Sequence, residues 1–211
     1  MQIKTLVFNP FYENTYLVYD ETGEAIIIDP GCYSAEEENT IVQFIEENKL
    51  KPVRLLNTHC HIDHILGNDF VEKKYNLKSE AHQTEELLAK TAKEYGASYG
   101  LHLKKTPEIG SYLNEGDIIE FGNSQLDIVH IPGHSPGGLV FFSQKESFMI
   151  VGDVLFEGSI GRSDLPGGNY NKLITSIKSK LFPLGDDMVV YPGHGPVTTI
   201  KNERLHNPFL D

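Results

Sequence analysis

Residues 58–64 read THCHIDH, and they place five side chains that can bind a metal in six consecutive positions: His59, Cys60, His61, Asp63 and His64. The segment follows the apolar run PVRLLN (52–57), which reads as a buried strand. His59 and His61 are two apart, so on extended backbone they point the same way and Cys60 points the other. Asp63 and His64 fall on the turn and helix start beyond, where they face a neighbouring point in space. A cysteine-based zinc knot would need Cys60 among the ligands, and this alternation argues against it.

Three later segments repeat the pattern of an apolar run ending in a turn that bears a ligand-type residue. They are VHIPGHSPGG (129–138) with His134, FMIVGDVLF (148–156) with Asp153, and VVYPGHGP (189–196) with His194. Turns beyond strand ends are where a rigid scaffold presents functional side chains. Singly, each of these residues reads as a turn or surface residue. Jointly, His59, His61, Asp63, His64, His134, Asp153 and His194 form a candidate ligand set of imidazoles and carboxylates suited to zinc, iron or manganese. Seven ligands exceed one tetrahedral ion but suit two divalent ions that share a carboxylate, held roughly 3.5–4 Å apart.

Around these motifs the chain reads as alternating strands and helices. IKTLVF, TYLVYD and EAIIID are short β-branched and aromatic runs separated by turn residues, and AEEENTIVQFIEENK has helical spacing behind an acidic first turn. A helix is expected over 83–95, then a polar loop to about Gly110. DIIEF, QLDIVHI, GLVFFS and SFMIVGD read as four strands, NYNKLITSIKSKLF as an amphipathic helix, and NERLHNPFLD as a short helix stopped before Pro208. Sheets inside with helices on the outer faces is the packing this order favours. The 211 residues are read as one domain, 1–211, with a suspected duplication of architecture between its halves.

Bulk properties narrow the function classes. A formal net charge of -12 disfavours nucleic acid as a partner, and no window approaches the roughly 20 apolar residues of a membrane span. The start lacks the pattern of a secretory signal, so a cytoplasmic location is expected. A small-molecule substrate and a monomer or homodimer are expected as well. Two cysteines, Cys32 and Cys60, are too few for a disulfide framework.

THCHIDH, GHSPGG, GDVLF and PGHG, with the earlier IIIDPG, resemble the ordered motifs of the metallo-β-lactamase fold. GDVLFEGSIGRSDLPGG and the end after NPFL resemble the short bacterial form of glyoxalase II, the hydroxyacylglutathione hydrolases. The resemblance implies an α/β fold, a four-layered αββα sandwich. It implies His59, His61 and His134 on one ion, Asp63, His64 and His194 on a second, and Asp153 bridging. The implied activity is thioester hydrolysis by a bridging hydroxide on two ions, with zinc expected and Asp63 also orienting the nucleophile. Arg162 matches a basic position that lines the thiol substrate site. Longer members grip glutathione with a basic C-terminal extension, and here only Lys201 and Arg204 lie near Asp211, so that grip is expected to be absent or replaced. A single-iron persulfide dioxygenase of the same fold is the rival reading, disfavoured by the retention of Asp63, His64 and His194.

Overall fold

The apolar runs near the N-terminus become β1 (Gln2–Phe8), β2 (Glu13–Tyr19) and β3 (Glu24–Ile28), paired antiparallel in sequence order. They belong to a computed structural model that describes residues 1–211. β4 (Lys51–Leu56), β5 (Ser79–Ala81) and β6 (Ser111–Tyr112) extend this sheet in parallel. Parallel neighbours require crossovers, and helices supply them. α1 (Ala35–Glu47) joins β3 to β4, α2 (Ile62–Ile65) and α3 (Asn68–Tyr75) join β4 to β5, and α4 (Glu86–Ser98) joins β5 to β6.

A capping box starts α1: the Ser34 hydroxyl accepts from the Glu37 N–H, and the Glu37 carboxylate accepts from the Ser34 N–H. Glu36, Glu37 and Glu38 then meet the positive end of the helix dipole. Ile41 and Ile45 pack among Leu6, Leu17, Ile27 and Leu55. Each buried aliphatic side chain of this kind contributes about 1.5–3 kcal/mol.

A second six-stranded sheet has the order β14-β13-β10-β9-β8-β7. Its strands are β7 (Ile118–Phe121), β8 (Ser124–His130), β9 (Leu139–Ser143), β10 (Phe148–Gly152), β13 (Val189–Pro192) and β14 (Thr198–Thr199). β11 (Leu155–Phe156) and β12 (Ser159–Ile160) form a small separate ribbon. β10 and β13 are parallel, and their connection carries α5 (Tyr170–Ser176). Of the apolar stripe Tyr170, Leu173, Ile174, Ile177 and Leu181 that the sequence offers, Leu173, Ile177 and Leu181 pack with Met149, Val151 and Val190, Ile174 packs against that cluster, and Tyr170 stays exposed. The stripe does not stay α-helical, because Ile177–Leu181 widens into a π-helical turn. α6 (Ile200–His206) ends before Pro208, as expected.

The chain divides into two units, Met1–Leu113 with Glu120–Gln125, and Asn114–Ile119 with Leu126–Asp211. The β7–β8 turn is in the first unit, where Asp20 accepts hydrogen bonds from the Asn123 N–H at 2.7 Å and the Ser124 hydroxyl at 2.9 Å. No helix is long and apolar enough to cross a membrane.

Candidate metal centre

In the first unit the donors follow β4 directly. The Asn57 side-chain amide donates to the His64 carbonyl at 3.1 Å and pairs with the Asn68 side chain, so the segment folds back on itself before α3. His61 stands at the N-terminus of α2, while Asp63 and His64 lie within it. His59 and His64 are buried, whereas His61 and Asp63 are half-buried. The rings of His59 and His61 stand perpendicular with centroids 4.7 Å apart, and His64 Nε2 is 3.8 Å from Asp63 Oδ2.

Asp29, at the end of β3, organises this cluster. Its Oδ1 accepts the Thr58 N–H at 2.7 Å, and its Oδ2 accepts the Thr58 hydroxyl at 2.5 Å. Oδ2 also lies 3.1 Å from His64 Nδ1. A hydroxyl has one hydrogen. With that hydrogen on Asp29, Thr58 Oγ1 accepts from His59 Nδ1 at 3.0 Å. Both imidazoles therefore carry their proton on Nδ1, and Nε2 keeps the lone pair that binds a cation. Asp29, His59 and His64 bring ligand-type atoms within 4.8 Å of one another. The nitrogen that His64 turns towards Asp29 is its protonated Nδ1, so Asp29 orients the donors from the side away from their Nε2 lone pairs.

The second unit repeats the device. β8 runs into the turn bearing His134, where Gly133 has φ +136° and an added Cβ would lie 2.4 Å from the Leu173 nitrogen. His134 Nδ1 donates to the Arg162 carbonyl at 2.7 Å, which leaves Nε2 facing Asp153. Asp153 follows the end of β10, at a register shift, and His194 follows β13. Asp153 Oδ2 lies 3.6 Å from His134 Nε2 and 3.7 Å from His194 Nε2. These distances are too long for hydrogen bonds. They are close to the roughly 3.3–3.5 Å that separates ligands on one tetrahedral ion with bonds of about 2.0–2.2 Å. The donors fit a divalent cation. Gly161 keeps this place open, since a Cβ there would lie 1.8 Å from the Asp153 carbonyl and 2.9 Å from His134 Nδ1.

Each unit thus brings together its own share of the expected residues, His59, His61, Asp63 and His64 in the first and His134, Asp153 and His194 in the second. Arg162 contributes its carbonyl to His134, while its exposed guanidinium is paired with Asp164 at 2.8 and 2.9 Å. That pairing holds the Asp164 carboxyl down at about 2. Three residues absent from the sequence reading also serve the site. Besides Asp29, Asn9 donates from Nδ2 to the carbonyls of Asp63 at 3.1 Å and Gly31 at 3.0 Å. Glu13 is fully buried behind His64, and burial pushes its carboxyl well above the usual range.

Cys60 is buried among Ile62, Ile65, Ala81 and Ala89, and burial pushes its thiol well up. It is a neutral core side chain. Cys60→Ser is expected to leave metal content unchanged while lowering stability by about 1–3 kcal/mol, because a hydroxyl replaces an apolar group. Metal analysis beside thermal unfolding checks this, and lost metal would make Cys60 a ligand after all.

Two α/β units carrying Nε2-presenting imidazoles and clustered carboxylates define a metal-dependent enzyme, and comparison identifies its kind. The chain belongs to the metallo-β-lactamase superfamily, whose model matches residues 8–194. It is 35% identical to hydroxyacylglutathione hydrolase GloC of Haemophilus influenzae, over 100% of this chain and 99% of that protein. It is 36% identical to the probable metallo-hydrolase YqgX of Bacillus subtilis, over 100% of this chain and 98% of that one. The solved di-iron-bound form of TTHA1623 is similar at a TM-score of 0.87 and 34% identity, over 98% of this chain and 100% of that one. The expected αββα fold class is therefore borne out, and the protein is a metallo-hydrolase of this superfamily.

Proposed function

We propose that this protein is a dinuclear metallohydrolase that cleaves thioesters of the hydroxyacylglutathione type. In this reading His59, His61 and His134 hold one ion, Asp63, His64 and His194 hold the other, and Asp153 serves both. Zinc is the resident ion, with iron and manganese as alternatives. Two such ions, when bound, lower the pKa of water towards neutrality and polarise a carbonyl oxygen.

The chain's own residues supply the rest. The Nδ1 bonds to Thr58, Asp29 and the Arg162 carbonyl hold His59, His64 and His134 in the ligating tautomer. Asp63, half-buried at the start of α2, accepts a hydrogen bond from the attacking water and orients it. A thiolate leaves readily, so no strong general acid is required. The exposed Arg162 guanidinium exchanges Asp164 for a substrate carboxylate. The substrate is a small molecule, the setting is the cytoplasm, and neither nucleic acid nor a membrane takes part.

The likeness to the Haemophilus influenzae hydrolase over the whole of both chains carries the thioester assignment. The test measures metal content, S-lactoylglutathione hydrolysis and oxygen uptake with glutathione persulfide on one sample. Two ions per chain with hydrolysis are expected. One iron per chain with oxygen uptake would overturn the reading in favour of the dioxygenase.

A further inference from the structure

The first unit carries an aromatic cluster beside the donor segment that no core requires. Phe11, in the β1–β2 turn, meets Tyr99 edge to face with centroids 6.2 Å apart, and Tyr99 meets Tyr95 of α4 at 5.2 Å. The Tyr95 and Tyr99 hydroxyls are 3.1 Å apart. Phe11 is 38% exposed, Tyr95 37% and Tyr99 53%, so each residue keeps more than a third of its surface open.

Both sides of this cluster are tied to the segment bearing His61 and Asp63. On one side, Asn9 accepts the Phe11 N–H at 2.9 Å through Oδ1 and donates to the Asp63 carbonyl through Nδ2. On the other, Gly96, next to Tyr95 in α4, packs against Ile62, where an added Cβ would lie 3.1 Å from Cδ1. Ile62 stands between His61 and Asp63 in the chain. The turn bearing Phe11 and the helix bearing Tyr95 are thus each joined to the α2 segment, one through a hydrogen bond to the Asp63 carbonyl and one through packing on Ile62.

A preorganised aromatic surface recognises apolar, planar groups without ordering cost on binding. No basic residue belongs to the cluster, so it adds shape and apolar contact instead of charge. We propose that Phe11, Tyr95 and Tyr99 form a specificity wall for the acyl group. Among thioesters of the hydroxyacylglutathione type it favours those whose acyl group carries an aromatic or branched apolar substituent over those with a short polar one. This inference rests on the thioester reading above and names the substrate class of that same site.

The test uses the metal-loaded protein with two non-hydrolysable thioethers, S-benzylglutathione and S-methylglutathione. The wild type is expected to bind the benzyl form about tenfold more tightly, the worth of one good aromatic contact. The Phe11→Ala/Tyr99→Ala double variant is expected to lose that preference with metal content unchanged. The single exchanges Phe11→Leu and Tyr99→Leu, which keep apolar bulk, should lose part of it. Equal binding of the two probes by the wild type, or an undiminished preference in the variants, overturns the wall. So does a wild-type dimer that the double variant converts to monomer with the preference intact, because the rings would then pack between copies. Benzyl preference in a protein that hydrolyses no thioester would remove the proposed reaction and leave the wall standing.

Discussion

An Asp153→Ala variant is expected to lose metal and turnover together, with the rate falling by more than about a thousandfold. Asp153 Oδ2 is the atom on which His134 Nε2 and His194 Nε2 converge, at 3.6 and 3.7 Å. Without it the second unit offers two neutral imidazoles and no charge to offset a dication, while the first unit keeps its own donors. Water that has lost the ions returns from a pKa near 7 to one near 15.7, far more than is needed for the stated loss. Asp153→Asn keeps the shape and removes the charge, so it should fall with the alanine variant. Metal analysis and rates on the same preparations check this, with thermal unfolding to show that both variants fold. Full activity in either would end the dinuclear reading.

Much of the second unit was legible because its strands and donors are local. QLDIVHI, SFMIVGD and MVVYPGHG each join an apolar run to a turn, and β8, β10 and β13 end close to where His134, Asp153 and His194 begin. The first sheet was similarly readable from its β-branched runs. Other elements left little trace. α3 comes from the polar stretch NDFVEKKY, whose helicity rests on Val71 packing into the core and on its place straight after α2. The two-residue strands β6, β11, β12 and β14 exist through pairing alone, which no periodicity records. The π-helical turn at Ile177–Leu181 keeps the predicted apolar side chains inward while changing the backbone beneath them.

The donors were legible and their supports were not, for a physical reason. A ligand must be one of a few residue types, whereas a support needs only an oxygen in the right place. The Arg162 carbonyl that fixes His134 belongs to the backbone, and any residue at that position would supply it. Asn9 reaches Asp63 across 54 residues, and Glu13 lies behind His64 from the start of β2. Asp29 is the exception. EAIIIDPG is an apolar strand that ends in an acidic turn residue, the same pattern that marked His134, Asp153 and His194, so the signal was present.

Asp29→Asn should therefore weaken metal binding about 10–100-fold, the range for loss of a residue that orients a ligand. The wild-type carboxylate accepts three hydrogen bonds, from the Thr58 N–H, the Thr58 hydroxyl and His64 Nδ1. An amide at the same position has one oxygen and must turn its NH2 towards one of these donors. If the NH2 faces His64, Nδ1 becomes the acceptor, the proton moves to Nε2, and the ligating lone pair is lost. With the NH2 there the Thr58 hydroxyl, which shares Oδ2 with His64, also loses its acceptor, and its bond to His59 Nδ1 is disturbed in turn. At the Oδ1 position the NH2 would instead meet the Thr58 N–H and leave that buried donor without an acceptor. Each buried donor left without an acceptor costs about 1–3 kcal/mol, so stability should fall as well. Chelator competition measures the affinity, and imidazole nitrogen NMR on the metal-free protein reports the tautomers of His59 and His64. Wild-type affinity with both protons still on Nδ1 would show that the histidines hold their orientation without Asp29. A proton moved to Nε2 on one of them would tie the lost affinity to that ring, and so separate a tautomer effect from a general loosening of the fold.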